Sequence, residues 1–317
     1  MKTKKKNATH SKTRKIKHTK QPYVVIGGVG GSGTRLIAMM LSGLGLNIGS
    51  NLNEPLDNNV FVYLFRRVQT LEVKKNKKLF KIYLSILRKT FCETKEQLTE
   101  DEIKIIEELS HIKPQGVTLK WLEKQCGLIQ KMVNDGPLKD GIETIEDIRN
   151  KFQLEQPLEG KWGWKAPNSH VIMKELMNAY PKMKYIMVVR NGLDMAYSDN
   201  QGQLALWGPV LFNKKELRKG WEKSPRLSLK YWCMVHQRIL QDSKGKNFLW
   251  LDYDQLCMNP DKYLPILFDF LEISHDYIES VKPMIKISSG IGRYKEHNDK
   301  FDQEDIDFVK ELGYDVD

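Results

Sequence analysis

The 317-residue sequence has few cysteines and no long apolar run, and both shortages narrow the classes of protein it can encode. Its four cysteines are far apart and form no metal-ligand spacing: Cys92, Cys126, Cys233 and Cys257. They indicate free thiols in a reducing compartment rather than a disulfide framework. No segment approaches the roughly 18 consecutive apolar residues that a membrane-spanning helix needs. We therefore expect a soluble, cytoplasmic protein without a transmembrane segment.

Acidic residues are absent from the first 20 positions, and this local imbalance explains most of the net charge of +11. Residues 1–20 contain nine of the 51 Lys and Arg residues, and the remainder has 42 basic against 40 acidic residues. Because that remainder is almost neutral, stable nucleic-acid binding is not expected. Residues 1–20 also lack the apolar run of a signal peptide, and they predict a disordered basic tail. This tail is either a weak tether to polyanions, membranes or a nuclear import receptor, or a solubilising extension.

Short β-branched runs alternate with helical patterns over residues 21–317, which predicts a single domain. Strands are predicted at YVVI, KWGWKAP, KYIMVV and NFLWLDY, with amphipathic helices between them. This alternation predicts an α/β fold with a central parallel sheet flanked by helices. Charged amphipathic segments from about residue 60 to 154 interrupt the alternation and predict a helical insertion.

A glycine-rich loop, GGVGGSGT over residues 27–34, joins the first predicted strand to a helix. Main-chain N–H groups in such a loop converge on an anion at the helix N-terminus. Glycine allows the close backbone approach and the positive φ angles that this requires. The loop therefore predicts a phosphate-binding site.

Two common nucleotide-binding patterns fit this loop incompletely. The G-x-G-x-x-G pattern of dinucleotide sites is present at Gly28, Gly30 and Gly33. An acidic ribose ligand would then be sought at Glu54 or Asp57, but the glycine pattern alone is a weak signal. A nucleoside triphosphate loop needs Gly-Lys-Ser or Gly-Lys-Thr, whereas Gly33 is followed by Thr34 and Arg35.

Together with four later segments, the loop resembles the P-loop-like sulfotransferase family that uses 3′-phosphoadenosine 5′-phosphosulfate. The family loop has a Ser-Gly-Thr core, which is present here at residues 32–34. WGWKAPNSH resembles its Lys-x-Pro segment, and VVRNGLDMAYS resembles its 3′-phosphate element. LWLDYDQLCMNPDKYLPILFDFLEI and SSGIGRYKE resemble the last strand with its helix and the C-terminal Gly-Arg-aromatic segment. The five matches keep the family order, and only the helical insertion matches poorly.

The resemblance implies that sulfuryl transfer from this donor goes to an acceptor hydroxyl or amine. It assigns the 5′-phosphosulfate to Gly30, Gly31, Ser32, Gly33, Thr34 and Arg35. It assigns the 3′-phosphate to Arg190, Ser198 and Arg293. Arg190 follows a strand, where open α/β sheets bind ligands, and Ser198 is predicted two turns into the next helix. No metal is implied.

Charge stabilisation and proton removal need further residues. Many family members have a basic residue before the Ser-Gly-Thr core, but this chain has Gly31 there. Lys165, which matches a catalytic family position, is the preferred cation, with Arg35 as its helper. Glu54 is the first candidate for the general base and His170 the second, while Asp57 stays an alternative acid.

Several alternatives stay open at this point. A P-loop kinase or hydrolase would require magnesium, and a dinucleotide oxidoreductase would bind a nicotinamide cofactor. A non-catalytic descendant would bind the nucleotide only. The acceptor could be a sugar, a protein tyrosine, a lipid or a small molecule. Four tryptophans near the motifs are either core residues or stacking partners for adenine or an aromatic acceptor: Trp162, Trp164, Trp207 and Trp221.

Overall fold

Four parallel strands form the centre of the molecule, in the computed structural model that describes residues 21–91, 96–114, 116–212 and 224–317. Their spatial order is β2-β1-β3-β4. The strands are β1 (Val24–Gly28), β2 (Gly163–Lys165), β3 (Lys184–Val189) and β4 (Phe248–Asp252). Three of them lie within the predicted runs, whereas β1 continues two residues past YVVI into the glycine loop. The predicted α/β fold with a central parallel sheet is confirmed. Residues 1–20, Cys92 and Trp221 lie outside the described residues.

Strand β1 lies between two neighbours, and its register brings the functional segments to one edge of the sheet. Ile26 is opposite Lys165 of β2 and Ile186 of β3. Alternate residues of β1 face opposite ways, because successive side chains of a strand point to opposite faces. Val25 packs in the hydrophobic core on one face, while Ile26 packs in the core on the other. Burial on both faces explains the continuous apolar run in this strand.

Helices occupy the segment for which the sequence predicts an insertion. They are α2 (Asn59–Phe65), α3 (Thr70–Val73), α4 (Lys77–Lys89), α5 (Glu100–Ser110), α6 (Leu119–Asp135) and α7 (Lys139–Phe152). Side chains of Asn58, Asn76, Thr99 and Thr118 accept hydrogen bonds from the first turns that follow them. The boundaries of the insertion and the division into a tail and one domain stay predictions.

The other described helices cover the sheet and follow its strands. They are α1 (Thr34–Gly43), α8 (Met173–Ala179), α9 (Gly192–Ala196), α10 (Gly202–Leu211), α11 (Pro225–Asp242), α12 (Tyr253–Met258), α13 (Pro260–Phe270), α14 (Ile278–Val281) and α15 (Gln303–Glu311). Within the described ranges, no helix combines the length and apolar character that spanning a membrane requires.

Candidate functional site

The glycine loop leaves β1 at the carboxyl edge of the sheet and leads directly into α1. Gly31 and Gly33 have φ angles of +94° and +91°, which favour glycine. A Cβ atom on Gly33 would lie 2.1 Å from the Tyr253 ring, so no larger residue fits there without movement. The first N–H groups of α1 have no partner inside the helix and point towards the loop. The local geometry can therefore hold an anion.

The side chain of Ser32 is the buried polar group of this loop. Its Oγ has no hydrogen-bond partner among the described residues. A buried hydroxyl without a partner is costly, and an oxygen of a bound anion could satisfy it. This observation fits a ligand that contributes hydrogen-bond acceptors to the loop.

Arg190 lies at the end of β3, beside the glycine loop. Its Nε donates to Asp254 Oδ1 at 2.9 Å, and its Nη1 donates to the carbonyl oxygen of Gly31 at 3.4 Å. Asp254 also accepts a hydrogen bond from the main-chain N–H of Asn191, and both members of the ion pair are buried. Asp254 therefore orients the Arg190 guanidinium towards the loop.

Ser198 reaches the same loop, although not from a helix. The prediction that Ser198 lies two turns into a helix is wrong, because α9 ends at Ala196. Its hydroxyl accepts a hydrogen bond from the main-chain N–H of Asn200 at 3.2 Å, a local bond that competes with helix continuation. A Cβ atom on Gly31 would lie 3.1 Å from Ser198 Oγ, which shows how closely the two segments approach.

Arg293 joins this group from the C-terminal segment. Its Nη1 donates to the carbonyl oxygen of Tyr197 at 3.4 Å. The carboxylate of Asp194 accepts from the N–H groups of Gly292 at 2.8 Å and Tyr294 at 3.1 Å, on either side of Arg293. Asp194 thus fixes the backbone that carries the arginine. Arg293 therefore lies next to Ser198, while Arg190 and Ser198 both approach Gly31 of the glycine loop.

Lys165 ends β2 on the other side of β1, and its side chain is only 2% exposed. Its ammonium group pairs with the carboxylate of Asp57 and donates to the carbonyl oxygen of Pro55 at 2.8 Å. Burial lowers the pKa of Lys165, and the Asp57 carboxylate opposes that shift. We call Lys165 and Asp57 the inner pair.

Arg35 and Glu54 form a second ion pair at the mouth of the loop, which we call the outer pair. Their side chains are 50% and 76% exposed. Such exposed pairs contribute little, because water and salt screen them. Lys165 and Arg35, the two cations predicted near the leaving oxygen, therefore each face a carboxylate in the described structure.

His170 is buried and held through both ring nitrogens. Arg238 Nη2 lies 2.9 Å from Nδ1, and Gln203 Oε1 lies 2.8 Å from Nε2. A guanidinium can only donate, so Nδ1 accepts and Nε2–H donates to Gln203. Burial is the main reason why the pKa of His170 is well below its usual value, and the Arg238 cation adds to it. Gln203 in turn donates to the carbonyl oxygen of Gly28 at 3.1 Å, which links the histidine to the end of β1.

A cavity of about 410 Å³ lies against the glycine loop. Gly30 and Asp57 line it, together with residues of the helical segment and of the 200–203 region. A neighbouring cavity of about 970 Å³ contains Arg35 and Glu54. Trp121 of α6 lines both cavities. A ligand in the smaller cavity would therefore contact both Gly30 of the loop and Asp57 of the inner pair.

The predicted tryptophan positions are separate from these cavities. Trp162, Trp164 and Trp207 are buried in the core, so they are not available to stack on a ligand. Trp121 is a better placed aromatic residue, and the sequence motifs did not single it out. No cluster of three or more His, Cys, Asp or Glu residues that could hold a metal occurs in the described ranges. The metal-free site stays a prediction.

The sequence motifs did not single out several side chains that shape this site: Asp194, Gln203, Arg238, Tyr253 and Asp254. For two of them, the position directly after a predicted strand was a usable signal. Tyr253 and Asp254 directly follow β4, and residues after parallel strands meet at the ligand-binding edge. Gln203 and Arg238 lie inside helices far along the chain from His170. Only the packing of those helices reveals their contact with His170.

Comparisons with known proteins identify the family of the chain. A model of the sulfotransferase family matches residues 22–277, most of the chain. The sulfotransferase domain of the olefin synthase from Synechococcus PCC 7002 is 14% identical, with a TM-score of 0.45, and the match covers 98% of this chain and 100% of that one. A sulfotransferase domain from the curacin biosynthetic pathway is also 14% identical, with a TM-score of 0.45 and coverage of 94% and 99%.

A sulfotransferase from Mycobacterium avium is 11% identical, with a TM-score of 0.38, and the match covers 94% of this chain and 75% of that one. No curated protein sequence is significantly similar to the chain. The predicted family is confirmed by the family model, whose match extends over far more than half of the residues. The chain therefore belongs to the sulfotransferase family and is a sulfotransferase enzyme.

Proposed function

We propose that the enzyme transfers a sulfuryl group from 3′-phosphoadenosine 5′-phosphosulfate to a hydroxyl group, or an amine, of its acceptor. The observation that carries this proposal is the meeting of two anion-binding groups at one edge of the sheet. The first is the glycine loop from Gly30 to Arg35, and the second is formed by Arg190, Ser198 and Arg293. The bond from Arg190 to the Gly31 carbonyl oxygen joins them.

The residues present fit such a donor. The loop, with its unpartnered Ser32 hydroxyl, would hold the 5′-phosphosulfate. The two arginines and Ser198 would hold the 3′-phosphate through charge-assisted hydrogen bonds. When bound, this cofactor would supply the sulfuryl group and the leaving phosphate, and the protein would align and neutralise them.

We assign the cation and the base to the inner pair. Lys165 would donate to the oxygen that becomes negative as the bond between sulfur and the phosphate oxygen breaks. Asp57 would accept the proton of the acceptor hydroxyl while the oxygen of that hydroxyl forms the new bond to sulfur. The products are a sulfate ester, adenosine 3′,5′-bisphosphate and one proton, which Asp57 would release to solvent, so atoms and charge balance.

The other candidates take different parts in this proposal. We prefer Asp57 to Glu54 as the general base because Asp57 shares a cavity with Gly30, whereas Glu54 is mainly exposed. Arg35 would assist at the mouth of the loop. His170 would position the loop through Gln203, because both of its ring nitrogens are already bonded.

Calorimetric titration with adenosine 3′,5′-bisphosphate tests the donor assignment. The wild type should bind it without added metal, and Arg190→Ala should weaken binding about tenfold to hundredfold, because charged hydrogen bonds are lost. Arg226→Ala is the matched control, since Arg226 is exposed, pairs with Asp302 and lines neither cavity. Equal affinity of the wild type and Arg190→Ala would remove Arg190 from its assigned role.

A further inference from the structure

The smaller cavity has the position of an acceptor site, and the inference below rests on the proposed function. Gly30 contributes the glycine loop to its wall, and Asp57 contributes the proposed base. A molecule in this space would have one group next to the donor and the rest of its body against the helical segment. The chemistry of the wall therefore selects the acceptor.

Side-chain amides dominate the polar part of this wall: Asn53, Asn59, Asn168, Asn200 and Gln203. Each amide offers both donors and an acceptor. A hydroxyl group likewise donates and accepts, so a ring of amides suits an acceptor with several hydroxyl groups. Apolar side chains are fewer, namely Val62, Val117 and Pro167 beside the Trp121 ring. This wall suits a sugar better than a lipid chain or an aromatic phenol.

Two of these amides retain hydrogen-bonding groups for a ligand. Asn168 Oδ1 accepts from the indole N–H of Trp207 at 2.8 Å, which leaves the amide N–H groups for other partners. The amide of Asn200 lies against Gly30, 3.2 Å from where a Cβ atom on that glycine would be. By contrast, Gln203 is already bonded to His170 and the Gly28 carbonyl oxygen. Asn168 and Asn200 are therefore the amides for acceptor contact near the donor.

Arg66 adds a cation to the same wall. Its Nη2 lies 3.6 Å from where a Cβ atom on Gly202 would be and 3.9 Å from where one on Gly116 would be. Within the described part of the chain, no Asp or Glu forms an ion pair with Arg66, whereas Lys165, Arg190 and Arg35 all have such a partner. A planar guanidinium binds carboxylate and phosphate oxygens in pairs.

We propose that the acceptor is a sugar that carries an anionic substituent, and that Arg66 binds this substituent while Asn168 and Asn200 bind hydroxyl groups. The Trp121 ring would cover an apolar face of the sugar. The hydroxyl that becomes sulfated then lies near Gly30 and Asp57.

Sulfate transfer to four small acceptors tests this proposal: methyl glucuronide, glucose 6-phosphate, methyl glucoside and p-nitrophenol. Methyl glucuronide carries a carboxylate and glucose 6-phosphate carries a phosphate, whereas methyl glucoside carries no anionic group. The wild type should show kcat/KM for at least one anionic sugar about tenfold or more above that for the glucoside, with p-nitrophenol lowest. Arg66→Gln should remove most of this advantage with the glucoside unchanged within about twofold, whereas Arg66→Lys should retain part of it. Arg226→Gln, which does not line the cavity, should behave as the wild type.

The outcomes separate this inference from the function on which it rests. Binding of adenosine 3′,5′-bisphosphate is measured in the same preparations. If the wild type binds this nucleotide but sulfates none of the sugars, or prefers p-nitrophenol, the sugar assignment is overturned. Equal turnover of anionic and neutral sugars overturns the assignment of Arg66. Failure to bind the nucleotide would contradict the proposed donor instead.

Discussion

The buried and exposed sides of the glycine loop have the same charges but different surroundings. On the buried side, the inner pair joins Lys165, 2% exposed, to Asp57, 21% exposed. On the exposed side, the outer pair joins Arg35 to Glu54, which is 76% exposed. An interaction in a poorly solvated site is stronger than the same interaction in water. Burial, rather than charge or sequence position, therefore separates the proposed catalytic pair from the outer pair.

The largest expected effect comes from the two carboxylates. Asp57→Asn should lower kcat about 10²-fold to 10⁴-fold, because it removes the proposed general base. Glu54→Gln should change kcat less than about threefold, because its partner is exposed. Steady-state sulfate transfer measures both. A loss with Glu54→Gln as large as that with Asp57→Asn would break the comparison and move the base to the outer pair.

Substitution of the two cations should have the next largest effect. Lys165→Met should lower kcat about 10²-fold to 10³-fold, as loss of a donor to a developing negative charge does. Arg35→Met should lower it about tenfold or less. Nucleotide affinity, measured by calorimetry, should change little in Lys165→Met.

Stability must be measured beside these rates, since breaking the inner pair leaves one buried charge. That costs about 3–5 kcal/mol of unfolding free energy for a fully buried pair. The double variant Lys165→Met/Asp57→Asn carries no unpaired charge and serves as the folding control. If Arg35→Met abolishes transfer while Lys165→Met retains it, the outer pair supplies the catalytic cation.

The smallest expected effect concerns pH and the buried histidines behind the loop. Burial holds the pKa of His170 well below its usual value, and burial lowers the pKa of His236 to about 3. Both histidines are neutral in the folded protein, and below about pH 6.5 they take up protons on unfolding. Their contribution to stability is therefore fully present above that pH. It is lost as the pH falls, by about 1.4 kcal/mol per pH unit for each histidine.

Urea unfolding of the wild type, His170→Gln and His236→Phe between pH 7 and 4.5 measures this dependence. Each variant should lose stability less steeply than the wild type below pH 6.5, by about one proton in the slope. The buried side of the loop would then contain titrating groups that the exposed side does not. An unchanged slope in His170→Gln would show that its ring is accessible to protons in the folded state.

The sequence predicted the sheet better than it predicted the side-chain partners around it. The β1 and β3 runs and the glycine loop are local patterns, because apolar repeats and permitted φ angles depend on neighbouring residues. Ser198 was predicted in a helix because spacing alone does not show where a short helix ends. The residues assigned to the donor nevertheless lie together, because strand ends of a parallel sheet share one edge.

Local pattern by itself determined the α/β fold class and the four parallel strands, and the resemblance of five sequence segments to known motifs identified the sulfotransferase family. Only the tertiary structure decided that Lys165 faces Asp57, that His170 is enclosed by Arg238 and Gln203, and that Arg66 lines a cavity beside Gly30. The physical reason is that solvent exposure and pairing depend on segments distant in the chain. Backbone conformation depends mainly on nearby residues, whereas the environment of a charge depends on the packing of the whole fold.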